Sequence, residues 1–207
     1  MNPLRRHKGV AVPLLRDNID TDAIIPSREM RRVSKEGLAE GLFAGWRYLR
    51  PGSREPDPDF VLNKPAYAGA SVLLGGINFG CGSSREHAVW ALAEYGIRVV
   101  IAPSFGTIFY NNCVRNGILP IVLEADRLGA LAAQIERDPQ RNTVTVDLER
   151  KMLFCPNGDA LPFELNESHR QMLLEGLDPI ALTLKSEMLI DGFEHADRTR
   201  RPWIYDT

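Results

Sequence analysis

Apolar residues along this chain fall into short, branched runs separated by glycine, proline and charge. Ala70-Ser71-Val72-Leu73-Leu74, bounded by glycines, reads as a buried strand, and so does Gly9-Val10-Ala11-Val12-Pro13-Leu14-Leu15. Residues 98–102 and 118–123 repeat the pattern. Between these runs the apolar positions take up helical spacing. Residues 88–93, with Trp90 and Leu92, predict a mostly buried helix, and residues 104–116 predict another, capped by Ser104 and stopped at Gly117. Strand, helix, strand, helix, strand at short connections is the pattern of a parallel α/β sheet with right-handed crossovers.

The remaining segments are read in the same way. Residues 125–137 form an amphipathic helix, 143–147 and 151–155 a hairpin, 167–174 a helix closed by Gly176, and 180–188 one more helix. A short helix is expected over residues 35–43. Residues 46–64 mix Pro51, Gly52, Pro56 and Pro58 with charge and read as a surface loop. The last residues, 197–207, carry arginines beside Pro202, Trp203 and Tyr205, and read either as a frayed tail or as part of an interface.

Composition narrows the function class. With 207 residues, 44% of them hydrophobic and 25% charged, the chain can bury one good core, and a single domain over residues 1–207 is the expectation. A net charge of -2 argues against a nucleic-acid surface. No run reaches the length of a membrane span, and the first eight residues open on charge rather than on a signal peptide's apolar segment, so a cytoplasmic protein is expected. Cys81, Cys113 and Cys155 are too widely spaced to hold an iron–sulfur cluster by themselves. Cys113 and Cys155 read as small buried hydrophobes, while Cys81, between two glycines, is either reactive or merely small enough to fit.

Candidate chemistry concentrates in the turn after the strand at 70–74. Gly80 and Gly82 permit positive φ and close approach of a ligand to the backbone. Ser83 followed by Glu86 fits a capping box at a helix start. The free N–H groups of the first turn, the positive end of the helix dipole and the Arg85 guanidinium then converge on an anion pocket suited to carboxylate or phosphate. Familiar glycine motifs do not fit: Arg85 stands where a dinucleotide fingerprint needs glycine, no Lys-Ser or Lys-Thr follows a glycine, and no Gly-x-Ser-x-Gly elbow is present. The bland alternative is that Ser83 only caps the helix and Arg85 only solvates its end.

Upstream, the turn from Asp17 to Asp22 fails as a calcium loop, because Ile24 stands where an oxygen ligand belongs. Asx turns and a helix cap explain its aspartates. His87 is expected to hydrogen-bond within the loop rather than to act in catalysis, and His7, His169 and His195 have no metal-ligand spacing.

The run Asn78-Phe79-Gly80-Cys81-Gly82-Ser83-Ser84-Arg85-Glu86-His87-Ala88 resembles the signature of the aconitase superfamily's mobile fourth domain, in particular the small subunits of bacterial 3-isopropylmalate dehydratases. The resemblance extends to the run from Asp17 to Pro26, to Gly41-Leu42-Phe43-Ala44-Gly45-Trp46-Arg47 and to Leu173-Leu174-Glu175-Gly176-Leu177-Asp178. It implies one swivelling β/β/α domain with a largely parallel central sheet flanked by helices. It also implies a hydro-lyase of leucine biosynthesis that interconverts 2-isopropylmalate and 3-isopropylmalate by dehydration and rehydration. The small subunit would pair with a large subunit that carries a [4Fe-4S] cluster, and would bind no cofactor itself.

Residue by residue, the resemblance implies that Ser83 is the base and that Ser84 and Arg85 bind a substrate carboxylate. Arg32 or Arg31 would contact a carboxylate from a loop over the substrate. Asp22 would orient a cationic side chain, and Gly80, Cys81 and Gly82 would form the pocket backbone. Ser83 as cap conflicts with Ser83 as base, although the same bond stabilises its charged form. Competing readings are the small subunit of a homoaconitase or of a methylmalate (citraconate) hydratase, a non-catalytic assembly module, and an independent anion-binding domain.

Overall fold

The computed structural model describes residues 1–30 and 36–205. Its centre is β1 (Arg6–Leu14), whose sequence changes character halfway along. Arg6, His7, Lys8 and Gly9 pair antiparallel with β5, while Val10 to Leu14 pair parallel with β2 across a register shift between Val10 and Ala11. The second half is buried almost without a break because it has a strand beside it and packed layers on both faces.

From β1 the sheet grows in two directions, in the order β4-β3-β2-β1-β5-β6-β7. On one side lie β2 (Ala70–Gly75), β3 (Val99–Ala102) and β4 (Leu119–Val122), all parallel. Val72, Leu73, Leu74, Val99, Val100 and Ile101 in these strands are fully buried. On the other side β5 (Val144–Asp147), β6 (Met152–Phe154) and β7 (Ala160–Pro162) run antiparallel. Here burial alternates: Val144 and Val146 face the core, Thr145 and Asp147 do not. The sheet is therefore mixed: the expected parallel arrangement holds for β1 to β4, which the strand-helix repeat builds, and gives way to antiparallel pairing in β5 to β7.

Helices complete the layers. Two single turns, α1 (Thr21–Ile24) and α2 (Ala44–Arg47), lie in the long connection between β1 and β2. The crossovers of the parallel half are α3 (Glu86–Tyr95) and α4 (Thr107–Arg115), which pack on one another. Next comes α5 (Ala125–Arg137), which buries Leu128, Leu131, Ala132 and Ile135, the spacing of one helical face. At the carboxyl end α6 (Glu167–Glu175) closes on Gly176 in the left-handed conformation and is followed by α7 (Pro179–Leu184) and α8 (Glu187–Arg200). No helix among the described residues is long and apolar enough to cross a membrane.

Three expectations need correction. The segment expected to fray is helical as far as Arg200, and there Asp197 accepts from Arg201 Nε, Arg201 Nη2 and the Tyr205 hydroxyl. Within the expected helix at 35–43, the described residues form only a 3₁₀ turn, Ala39–Gly41. Ser104 does not cap α4, whose N-cap is Gly106; its hydroxyl accepts instead from the Asn78 backbone N–H at 2.8 Å.

Candidate active site

The loop that follows β2 is laced between the chain leaving β1 and the chain leaving β3. On one side Asp17 accepts from Ile77 N at 2.8 Å, Ile19 O from Gly80 N at 2.7 Å, and Cys81 O from Thr21 N at 2.9 Å. On the other, Ser104 O accepts from Phe79 N at 3.0 Å and Phe79 O from Gly106 N at 2.9 Å. Three loops from the carboxyl ends of neighbouring parallel strands thus run side by side, the place where open α/β sheets bind ligands.

Packing beneath the loop explains its glycines. Phe79 is fully buried and meets Phe105 and Phe109 edge to face, with centroids 6.4 and 5.5 Å away. Gly80 has φ of +73°, and a Cβ there would stand 2.1 Å from Phe109 Cγ. Gly82, at φ +89°, needs glycine for its backbone conformation alone.

A cavity of about 300 Å³ opens over this loop. It is lined by Thr21, Gly80, Cys81, Gly82, Ser83 and Arg85 from the loops after β1 and β2, and by Gly106, Thr107, Ile108, Phe109 and Asn112 from α4 and the turn before it. Neither α3 nor α4 has a side-chain cap, and the first turn of α4 lines the cavity with its uncapped N–H groups.

The expected capping box does not form. The N-cap of α3 is Arg85, not Ser83. Glu86 reaches across to accept from Asn116 Nδ2 at 2.8 Å, and Asn116 Oδ1 accepts from Trp90 Nε1 at 3.0 Å, tying α3 to the end of α4. Ser83 is held by its backbone carbonyl, which accepts from the hydroxyl of buried Thr21 at 2.9 Å. Its own hydroxyl is exposed and has no partner among the described residues, so the conflict between cap and base disappears.

Arg85 is fixed from a different loop. Its Nη1 donates to Asp22 Oδ1 and to Ser27 Oγ, the latter at 3.0 Å, while Ser27 Oγ also donates to Asp22 at 3.3 Å. Nη1 is thereby taken up, leaving Nε and Nη2 to meet a carboxylate in parallel. Asp20, the neighbour of this cluster, caps α1 through Ala23 N at 2.7 Å. The other expected residues fall as follows. Ser84 is exposed and is not part of the cavity wall. Arg31 and Arg32 lie outside the described residues. His87 packs against Trp90 with tilted rings, centroids 4.7 Å apart, and makes no hydrogen bond among the described residues, contrary to expectation.

Burial pushes the thiols of Cys113 and Cys155 up, the latter helped by Asp159, so both stay protonated and inert. No cluster of three metal-ligating side chains is found among the described residues, so they do not fit an iron–sulfur cluster. Thr21, Ser27 and the residues 106–109 were not picked out from sequence. The available signal was positional: Ser104-Phe105-Gly106-Thr107 leaves the strand beside the one that carries the glycine loop.

Comparison with known proteins agrees with this arrangement. The aconitase C-terminal domain family matches residues 1–126. A 3-isopropylmalate dehydratase small subunit of Cupriavidus necator is 64% identical over 99% of both chains. One from Agrobacterium fabrum is 49% identical over 98% of this chain and 100% of the relative. The crystal structure of a 3-isopropylmalate dehydratase from Methanocaldococcus jannaschii superposes with a TM-score of 0.65 at 30% identity, covering 91% of this chain and 99% of that one. The chain belongs to the 3-isopropylmalate dehydratase small subunits of the aconitase C-terminal domain family.

Proposed function

We propose that the chain completes, on a large partner subunit, a cytoplasmic hydro-lyase that interconverts 2-isopropylmalate and 3-isopropylmalate through 2-isopropylmaleate in leucine biosynthesis. Residues 1–207 act in this reading as one swivelling unit. The observation that carries it is the pairing of an anchored Arg85 with the unpartnered hydroxyl of Ser83 at one cavity. That is a carboxylate clamp beside a group able to move a proton.

The chemistry asks for a proton to leave the carbon next to a carboxylate while hydroxide leaves its neighbour, after which water returns with the positions exchanged. The large subunit would supply the [4Fe-4S] cluster as the Lewis acid for the departing hydroxide. On this chain, Arg85, with Ser84 near the loop tip, holds a substrate carboxylate through charge-assisted bonds. Asp22 and Ser27 keep the guanidinium in place, and Arg32, outside the described residues, is assigned a carboxylate contact by the family resemblance alone.

Ser83, as the alkoxide, takes the carbon-bound proton on Oγ and, as the hydroxyl so formed, returns it in the second half of the cycle. A neutral hydroxyl is a poor base, so its ionised form must be stabilised as it reacts. The Arg85 charge at the same cavity supports this reading, because a cation lowers the cost of the alkoxide.

The test is anaerobic turnover of 2-isopropylmalate, followed as absorbance of the unsaturated intermediate, with this chain and a cluster-loaded large subunit apart and together. Activity is expected only in the mixture, and Ser83→Ala should lower kcat about 10²- to 10⁴-fold, the range for lost general-base catalysis. Activity that survives the substitution would move the base to another residue. A mixture without turnover would remove the substrate assignment, with homoaconitate and methyl-substituted malates the next acids to try.

A further inference from the structure

Ile108 stands out in the lining of the cavity by its exposure. It is in the first turn of α4 and is 53% exposed, and among the described residues it is the one exposed large hydrophobic side chain in that lining. Phe109, its neighbour, is only 2% exposed, with its ring packed over Gly80 and against Phe79. Isoleucine is not favoured at such a place by helix propensity, and half-exposed it contributes little to the core. The same cavity is lined by Arg85 and Ser83. The cavity therefore combines groups suited to a carboxylate with an apolar surface suited to a branched hydrocarbon.

Resting on the function proposed above, we infer that Ile108 is a specificity-determining residue, forming the apolar wall that receives the isopropyl group of the substrate. An acid with the same two carboxylates and a methyl group in its place would reach this wall poorly. Replacing Ile108 then narrows the preference between the two acids, whereas a docking or general structural role would change both rates together.

The experiment uses the reconstituted complex at saturating large subunit, with 3-isopropylmalate and 3-methylmalate as substrates. It compares wild type with Ile108→Ala and Ile108→Thr, the second keeping a branched Cβ while making the tip polar. The expected result is a fall of about tenfold in the ratio of kcat/KM for the isopropyl over the methyl acid in both variants, the low end of what a hydrophobic pocket gains per methylene. An unchanged ratio, whether the two rates hold or fall in parallel, overturns the assignment. A wild-type complex that turns over the methyl acid and not the isopropyl acid overturns instead the functional reading beneath it, and this inference with that reading.

Discussion

Two side chains set the position of one cation, and both lie far from it in sequence. Asp22 and Ser27 follow β1, while Arg85 precedes α3, and the bonds between them are charge-assisted but partly open to water. Side-chain exposure of 22% for Arg85 and 52% for Asp22 makes the pair worth little to folding, about 0–1 kcal/mol by the usual standard for exposed pairs. Its value to binding is larger, because a guanidinium that wanders must be immobilised again for each substrate. Asp22→Asn is therefore expected to lower kcat/KM about tenfold, mostly through KM, with a melting temperature within about 2 °C of wild type. Steady-state kinetics beside thermal denaturation checks both halves. A matching loss of stability would make Asp22 structural. That Asp22 orients a cation was implied by the family resemblance alone; the residue pattern gave Asx turns and a helix cap, because no local spacing connects Asp22 to an arginine 63 positions away. The fate of Ser83 was not legible either, because a Ser-x-x-Glu spacing marks a capping box equally well whether or not the helix starts a turn later.

Elements with a clear periodicity were legible almost to the residue. Residues 125–137 and the strands of the parallel half are found where apolar spacing puts them, because both faces or one whole stripe are buried. Legibility failed where tertiary contacts decide. The three residues of β7 add to β6 without a pattern of their own, and α8 keeps Met188, Leu189 and Phe193 exposed, so its apolar positions carry no record of a packed face. The mixed sheet was written in β1 all the same, as polar Arg6 to Lys8 followed by apolar Val10 to Leu14.

At the other end of α3 from Arg85, Glu94 accepts from the backbone N–H groups of Gly37, Leu38 and Ala39 at 2.6, 2.5 and 2.8 Å. Burial raises the Glu94 pKa, but the three bonds outweigh it and hold the carboxyl below its ordinary value. Glu94→Ala leaves those groups to water and should cost about 1–2 kcal/mol, or roughly 3–6 °C in melting temperature at pH 7. A depressed carboxyl stabilises above its ordinary value of 4.5 and loses that contribution as pH falls through the folded value, so the gap between variant and wild type should close in acid. Melting curves at several pH values test this, and a gap that is constant with pH would assign the loss to packing.

Over the whole molecule the titrating groups pull in one direction. Burial, together with Arg98, lowers the pKa of His7, whose Nε2 is 2.8 Å from Ser71 Oγ; burial, together with Arg115, lowers that of His169, whose Nδ1 is buried without a partner among the described residues. Both histidines are neutral in the fold where the unfolded chain, with its ordinary value of 6.5, already takes a proton. Their contribution to stability is complete above pH 6.5 and falls away as the pH drops toward the folded values. Glu94 then follows below about 4.5, along with Glu175, held down by Lys185 and Gln171, and Asp197, held down by Arg201 and Tyr205. Acid should therefore destabilise the chain in two stages, histidines first. His7→Gln keeps a partner for Ser71 without the titration, and with His169→Gln it should flatten the melting temperature between pH 7 and pH 5.5 while leaving the lower stage intact. Parallel curves for wild type and the double variant would show that neither histidine governs this range. If the curves diverge as expected, activity of the double variant in the complex over the same pH range gives the titration of the site itself, free of the loss of fold.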